Sequence, residues 1–449
     1  MAYALCAAAQ AAPHNRQTHA RQPCIWINSL YLHILNKHIL VMKKTLLLLT
    51  LAASLCVCSS ARTRKALYVI IDGIPATALE RLQPPTIMEI AKAGGYSRGY
   101  CGGMVGRYSQ TPTISAIGYT NITTGTWMNK HNVQGNENIK ANYNYPTIFR
   151  IAKDQKRDVK TALYSSWADN RTVILGEGKP ETRNLKIDYV VDGFDLDHAK
   201  YPNKPGDLHV FDYDAEVCKG AAKCIRENAP DLNWLYLWYS DDAYHINGNG
   251  HIGDWSVMAE DSLLKQVWEA VKERQKKHGE DWLVIVTTDH GRGYDGRNHG
   301  GQTDTERTVW FSTNLRQRNG KFGRADLSHV DVLPTICKWM NFEIPQKNLF
   351  ELDGSSFYGQ EDIYGLKIDP WDSKVNLLWK STGKDVPVDI YVSTTNNIAQ
   401  GGTDKWEKIG STSSRKEIFT VENEKYSKCP FVKFTVKTQN TTLNAWWKM

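Results

Sequence analysis

Acidic residues are missing from the first 61 positions of this 449-residue chain, where five Lys or Arg stand (Arg16, Arg21, Lys37, Lys43, Lys44). That imbalance separates residues 1–61 from the mixed charge of the remainder. A membrane-length apolar run is missing too: residues 45–57 fall short of the roughly 20 residues a spanning helix needs. Between Met42-Lys43-Lys44 and Ser59-Ser60-Ala61, the run has the basic, apolar and small-residue regions of a secretory signal. Met42 therefore reads as the true start, residues 1–41 as an upstream extension, and the working chain as exported, periplasmic or secreted. An uncleaved anchor is the alternative, and lipid attachment at Cys58 fits poorly because Leu55-Cys56-Val57 precedes it. Cysteine is sparse and irregular. Four of nine fall in the leader (Cys6, Cys24, Cys56, Cys58), leaving Cys101, Cys218, Cys224, Cys337 and Cys429 without zinc-finger spacing. An odd count leaves at least one thiol free, while Cys218 and Cys224 would close a short disulfide loop in an exported protein. No repeat or low-complexity tract stands out. Without the leader's five basic residues the formal net charge falls from +7 to +2, which implies no nucleic-acid platform.

The remainder is rich in apolar residues, with 41% hydrophobic residues and 15 Trp over the chain, enough for one large α/β domain and a smaller module. Residues 282–288 read as a buried strand that stops abruptly at Asp289-His290-Gly291, with His299-Gly300-Gly301 on the Gly-rich loop that follows. Two further strands end in the same way. Residues 65–71 are apolar from Ala66 onward, as a strand covered on both faces should be, and stop at Asp72-Gly73. Residues 234–239 lead into Asp241, Asp242 and His245. Ligands of open α/β sheets bind outside the carboxyl ends of the strands, so these polar residues are placed for chemistry. Helices are expected over residues 85–93, 146–152, 256–277 and 331–340, and a short strand over 161–164. Residues 126–233 otherwise show mixed texture. From about residue 375, short alternating runs (375–379, 388–392, 431–436) predict a small β-sandwich, with a linker at Asp369-Pro370. The expected domains are thus a leader (1–61), a catalytic domain (62–369) and a β-sandwich module (370–449).

Hydroxyls crowd residues 108–115, just before a stretch with helical spacing to Gly125. A Ser or Thr entering a helix is usually an N-cap. The same position also offers backbone N–H groups and the positive end of a helix dipole, which stabilise an alkoxide and the anion it attacks. The strand-end residues Asp72, Asp241, His245, Asp289, His290 and His299 make three carboxylates and three imidazoles. A catalytic zinc site takes three protein ligands and keeps an open position, so six residues divide between two ions. Mixed His and Asp ligation favours Zn2+ over the oxygen-ligated Ca2+ and Mg2+. Two cations about 4 Å apart clamp the attacking and leaving oxygens of an in-line displacement at phosphorus.

In order and spacing, Ile71-Asp72-Gly73, the hydroxyl-rich helix entry, Asp241 with His245, Asp289-His290-Gly291 and His299-Gly300-Gly301 resemble the alkaline phosphatase superfamily, most closely its nucleotide pyrophosphatase/phosphodiesterase branch. Residues 329–335 and 352–357 look like that family's closing segments. The resemblance implies a mostly parallel sheet sandwiched by helices, two divalent metal ions and a small phosphoester substrate. It places the nucleophile ten residues before the Gly of a Thr-Gly pair, which is Ser115, with Thr113 and Thr111 as runners-up. It groups Asp72, Asp289, His290 and Ser115 around one metal and Asp241, His245 and His299 around the other. The nucleophile would form a phospho-enzyme that water hydrolyses. Asp242 is a second choice for Asp241, and His131 and His251 read as surface or loop histidines. Two features depart from the pattern. The Asn expected three residues after the nucleophile is Gly118, a role Asn121 or the inserted region would have to fill. The sulfatase signature Cys-x-Pro-x-Arg is absent, since Cys101 is followed by Gly-Gly-Met-Val. The phosphoglycerate mutase branch carries a large insertion and is cytosolic, unlike this chain. The expectation is an exported two-metal phosphodiesterase or nucleotide pyrophosphatase. A monoesterase, phosphonate hydrolase or sulfatase-like enzyme on the same site is the alternative, and a non-catalytic binding protein the remote one.

Overall fold

Every position of β1 (Arg64–Ile71) after Lys65 is apolar because both of its faces are covered: Ala66, Tyr68 and Ile70 enter one core, Leu67, Val69 and Ile71 the other. The computed structural model describes residues 62–449 except 156–157, 372–373, 423, 427–428 and 448–449, together with residues 33, 37–38 and 40–45. Apart from those nine residues, the expected leader lies outside the described residues. Among the described residues, no helix is long and apolar enough to cross a membrane.

β2 (Gly95–Tyr100), β3 (Thr161–Ser165), β4 (Tyr189–Val191), β5 (Leu232–Leu237), β6 (Asp281–Thr287) and β7 (Thr308–Thr313) join β1 in a seven-stranded sheet ordered β2-β7-β6-β1-β5-β3-β4. Only β7 runs against the rest, antiparallel to both β6 and β2. Helices cover both faces. α1 (Pro85–Ala93), α3 (Leu208–Asn228) and α5 (His251–His278) pack on one, α2 (Ser115–Thr124) and α6 (Val332–Met340) on the other, and α4 (Tyr239–Asn247) follows β5. The register decides where chemistry can gather. Ile71 of β1 pairs with Leu237 of β5, and Ile70 with Thr287 of β6, so three adjacent parallel strands end at the same level. Asp72, Asp241 and Asp289-His290 follow those ends.

The structure differs from the sequence reading in several places. The strand expected over 234–239 stops at Leu237, and Tyr239 opens α4, which puts Asp241 and His245 one turn apart on a helix. Residues 126–233, read as mixed, contain the 21-residue α3. Cys218 and Cys224 are six residues apart along that helix and both are free. A rise of about 1.5 Å per residue puts their Cα atoms near 9 Å apart, beyond the reach of a disulfide.

The carboxy-terminal module packs a four-stranded antiparallel sheet on a three-stranded one. Its strands are β8 (Ile363–Trp371), β9 (Lys374–Ser381), β10 (Pro387–Ser393), β11 (Glu407–Ser413), β12 (Ile418–Glu422), β13 (Val432–Lys437) and β14 (Thr442–Trp447), in the orders β11-β10-β13-β14 and β12-β9-β8. Alternate residues Val375, Leu377 and Trp379 face Val388, Ile390, Val392, Val432, Phe434 and Val436 in its core. Asp369 and Pro370, expected as a linker, lie in β8 and pair with β9, so the module's first strand begins at Ile363.

Candidate active site

At the end of β1 the chain turns through Gly73 in the left-handed region, at φ +63°. A Cβ there would strike both Arg292 and Asp241, so only glycine lets the three segments meet. The Gly73 N–H donates to Asp289 Oδ1 (3.0 Å), tying the end of β1 to the end of β6. Asp72 Oδ2 accepts from Tyr236 Oη (2.7 Å) and from Tyr119 Oη.

Ser115 is the first residue of α2. The capping position is Ile114, in extended conformation, and no side chain caps the helix. The Ser115 hydroxyl instead lies 3.3 Å from His290 Nε2. Asp72 Oδ1 (3.4 Å) and Asp289 Oδ2 (3.3 Å) face the same nitrogen, and neither oxygen has a hydrogen-bond partner although both are buried. His290 Nδ1 lies 3.0 Å from the Gly291 carbonyl, which makes Nδ1 the donor and leaves the Nε2 lone pair toward the cluster. The runners-up for nucleophile are otherwise engaged. Thr113 Oγ1 donates to Gly301 O (3.0 Å) and accepts from Gly300 N (2.9 Å), and Thr111 Oγ1 donates to Ser109 O (2.8 Å).

His299 Nδ1 is held by the Thr113 carbonyl (2.8 Å), which turns Nε2 inward, 3.0 Å from His245 Nε2. His245 Nε2 is 3.2 Å from Asp241 Oδ2, and the rings of His290 and His299 stack at 3.7 Å. Asp241, His245 and His299 each offer a ligand atom within 4.8 Å of the others, and so do Asp72, Asp241 and His290. The six residues expected from sequence thus converge, with Asp289 beside His290 and with Asp241 between the two groups. Asp242 belongs to neither group. Its carboxyl is pushed up to about 7, by burial first and then by Asp241 and Asp207. His131 is a satisfied core histidine: its Nε2 bonds Asn121 Oδ1 (2.9 Å) and its Nδ1 accepts from Val133 N.

Burial and mutual repulsion dominate the electrostatics. Asp72 is raised well above the carboxylate range by burial, Asp289 and Asp241, and Asp289 is pushed up to about 7, by burial first. Burial also holds His290 and His299 below the usual imidazole range. Among these carboxylates Asp241 is the one lowered: burial is the largest influence and raises it, but Arg292, His245, His290 and His299 together outweigh that burial. Clustered carboxylates with unpaired buried oxygens, and imidazoles presenting lone pairs, fit divalent cations.

Four residues at the site escaped the sequence reading. Tyr119 and Tyr236 orient Asp72, Arg292 pairs with Asp241, and Asn136 Oδ1 accepts from Ala116 N (2.9 Å) at the start of α2. Arg292 directly follows Asp-His-Gly, the one signal that could have found it. Gly118 is small for a steric reason: a Cβ there would stand 2.8 Å from the Asp289 carbonyl oxygen. A cavity of about 470 Å³ lies elsewhere, lined by Tyr108, Trp127, Asp353, Leu366 and Trp446 and by none of the seven expected site residues.

Type I phosphodiesterase/nucleotide pyrophosphatase is the family that matches this sequence, over residues 66–294, just over half of the chain. The chain belongs to that family. Membership makes it a hydrolase of phosphoesters within the alkaline phosphatase superfamily. No curated protein matches the sequence. Among solved structures, a 2-O GAG sulfatase shares the fold with a TM-score of 0.50 at 13% identity, over 80% of this chain and 85% of that one. Human ectonucleotide pyrophosphatase/phosphodiesterase 5 aligns at 12% identity and TM-score 0.44, over 62% of this chain and 95% of that one. The phosphonate monoester hydrolase of Agrobacterium radiobacter aligns at 13% and 0.41, over 86% and 89%.

Proposed function

We propose that this chain is an exported, two-metal hydrolase of phosphodiesters or nucleotide pyrophosphates that works through a phospho-Ser115 intermediate. One observation carries the reading: Ser115 Oγ, Asp72 Oδ1 and Asp289 Oδ2 surround His290 Nε2 at 3.3 to 3.4 Å, with both carboxylate oxygens buried and unpaired. Asp72, Asp289 and His290 would hold one divalent cation and Asp241, His245 and His299 the other, Zn2+ being the best match to the donors. When bound, the cations lower the pKa of the attacking hydroxyl and neutralise charge on the phosphoryl group. Ser115 Oγ, at the positive end of α2, attacks phosphorus in line with the leaving oxygen. The P–O bond to the leaving group breaks as the Oγ–P bond forms, and water then cleaves the phosphoserine. The helix N-terminus stabilises the phosphoryl oxygens in both steps. Asn136, whose Oδ1 accepts from the Ala116 N–H at the start of α2, would supply through its amide NH2 the donor that Gly118 cannot.

Kinetics on bis-p-nitrophenyl phosphate and p-nitrophenyl phosphate test the substrate class. Faster turnover of the diester is expected, and a monoester preference of orders of magnitude would replace diester by monoester hydrolysis. Ser115→Ala is expected to abolish turnover with metal content intact, whereas Asp289→Ala loses metal as well. Full activity in Ser115→Ala would move the nucleophile to Thr113 or Thr111.

A further inference from the structure

Arg292 is a fixed positive charge set against one of the two groups of candidate ligands. Its Nε donates to the Gly73 carbonyl (2.8 Å), Nη1 to the Arg297 carbonyl (2.9 Å) and Nη2 to the Asp241 carbonyl (3.0 Å). The guanidinium also lies 5.3 Å from the centre of the Tyr244 ring, and the residue is 2% exposed. Three backbone acceptors on three segments leave it nowhere to swing. From there Nη2 pairs with Asp241 Oδ1, the oxygen that lies 3.9 Å from His290 Nε2 and 3.8 Å from His299 Nε2.

Charge accounting then separates the two groups. The inner group has two carboxylates, Asp72 and Asp289, which when ionised balance a dication, and the side chains of Asp289 and His290 are fully buried. The outer group has one carboxylate, already paired with Arg292, and two imidazoles, one of which, His245, is 40% exposed in its side chain. A dication there adds +2 to a group whose one carboxylate is already balanced by Arg292.

We infer that the two cation positions are unequal: the inner one, Asp72–Asp289–His290, fills tightly, and Arg292 keeps the outer one, Asp241–His245–His299, weak until an anion arrives. This rests on the two-metal reading proposed above. The missing negative charge is what a phosphoryl group brings, so outer-ion binding and anion binding strengthen each other reciprocally. The outer ion would exchange with the medium between turnovers, while the inner one stays.

The test is calorimetric titration of the metal-free full chain with Zn2+ against a competing chelator, with and without inorganic phosphate. Two steps are expected, the second at least about tenfold weaker than the first, and tightened by phosphate. His245→Ala should remove the second step and keep the first. Arg292→Met should tighten the second step by about tenfold or more, whereas Arg292→Lys, which keeps the charge, should leave it weak. A purely structural role for Arg292 moves the Met variant the other way. Two equally tight ions in the wild type, or a weaker outer ion in a folded Arg292→Met, overturns the inference. If Arg292→Met does not fold, the wild-type steps and His245→Ala still decide it. Absence of any Zn2+ binding would instead sink the two-metal reading itself.

Discussion

Asn136 and Tyr236 touch different parts of the candidate site, Asn136 the start of α2 and Tyr236 the Asp72 carboxylate. Asn136 sits 21 positions after Ser115 in a loop with no periodicity, which is why sequence patterning passes over it. With Oδ1 held by Ala116 N, its NH2 would be the phosphoryl donor proposed above, and loss of one such donor costs roughly 10²- to 10³-fold in kcat. Asn136→Ala should therefore lower kcat by about 10²-fold with little change in metal content. Steady-state kinetics with metal analysis checks this, and an unchanged kcat would remove Asn136 from the phosphoryl site. Tyr236 Oη steadies ionised Asp72, which burial and two neighbouring carboxylates push toward the protonated form. Tyr236→Phe removes a hydrogen bond that lowers the Asp72 pKa, so a proton competes better with the inner cation. Metal affinity should fall about tenfold, and the pH at which the protein loads should move upward. Equal loading at every pH would show that Tyr119 alone suffices. Tyr236 reads as core from sequence because it lies inside an apolar strand, whereas Asp72, Asp289 and His290 are legible because each breaks such a strand.

The same contrast holds for whole elements. β1, β5, β6, α1 and α2 follow from unbroken apolar runs, Gly stops and the Pro at a helix start. α3 does not, because the face it buries is made of Val210, Tyr213, Asp214, Val217, Cys218, Ala221, Ala222, Cys224 and Ile225. The spacing is helical, yet small residues and an acid dilute the apolar signal. That acid has a consequence. Asp214 of α3 is buried against Glu260 of α5, and both carboxyls are raised, by burial first and for Glu260 next by Asp214. Asp214 accepts from the N–H groups of Trp238 (3.0 Å) and Tyr239 (2.7 Å), so it keeps the charge while Glu260 holds the proton. An acid with a raised folded-state pKa stabilises most below its unfolded value, and that stability is lost as pH rises through the folded value. Thermal melts should thus show the wild type losing stability from about pH 4.5 upward. Glu260→Gln, neutral at every pH, should lack that part of the decline. Parallel curves for the two proteins would show that Glu260 does not carry the proton.

At the scale of the whole molecule, two buried lysines fasten the carboxy-terminal β-sandwich to the residues that precede it. Lys433 of β13 pairs with Glu351 (2.9 Å), which precedes the module, and with Asp404 (2.7 Å), and its ammonium lies 4.2 Å from the centre of the Trp446 ring. Lys130 reciprocates from the catalytic side, bonding Asp353 (2.7 Å), the Glu351 carbonyl (2.7 Å) and Asn444 of β14 (3.1 Å). The ends of Lys433 and Glu351 are almost fully buried, so removing one partner strands a charge without water, at a cost of about 3–5 kcal/mol. Sequence composition gives no hint of this, since a lysine in an alternating strand reads as solvated. Burial already pushes Glu351 up to about 7, with Lys130 and Lys433 opposing it. At pH 5 a carboxyl raised to about 7 already holds its proton, and Lys433→Met, by removing part of that opposition, raises it further, so Glu351 is left as a stranded charge only at higher pH. Chemical denaturation should therefore show a large loss for Lys433→Met at pH 8 and a smaller one at pH 5, and Lys433→Met with Glu351→Gln should recover part of the loss at pH 8. A small, pH-independent loss would mean that packing between the sheets, rather than this ion cluster, holds the module in place.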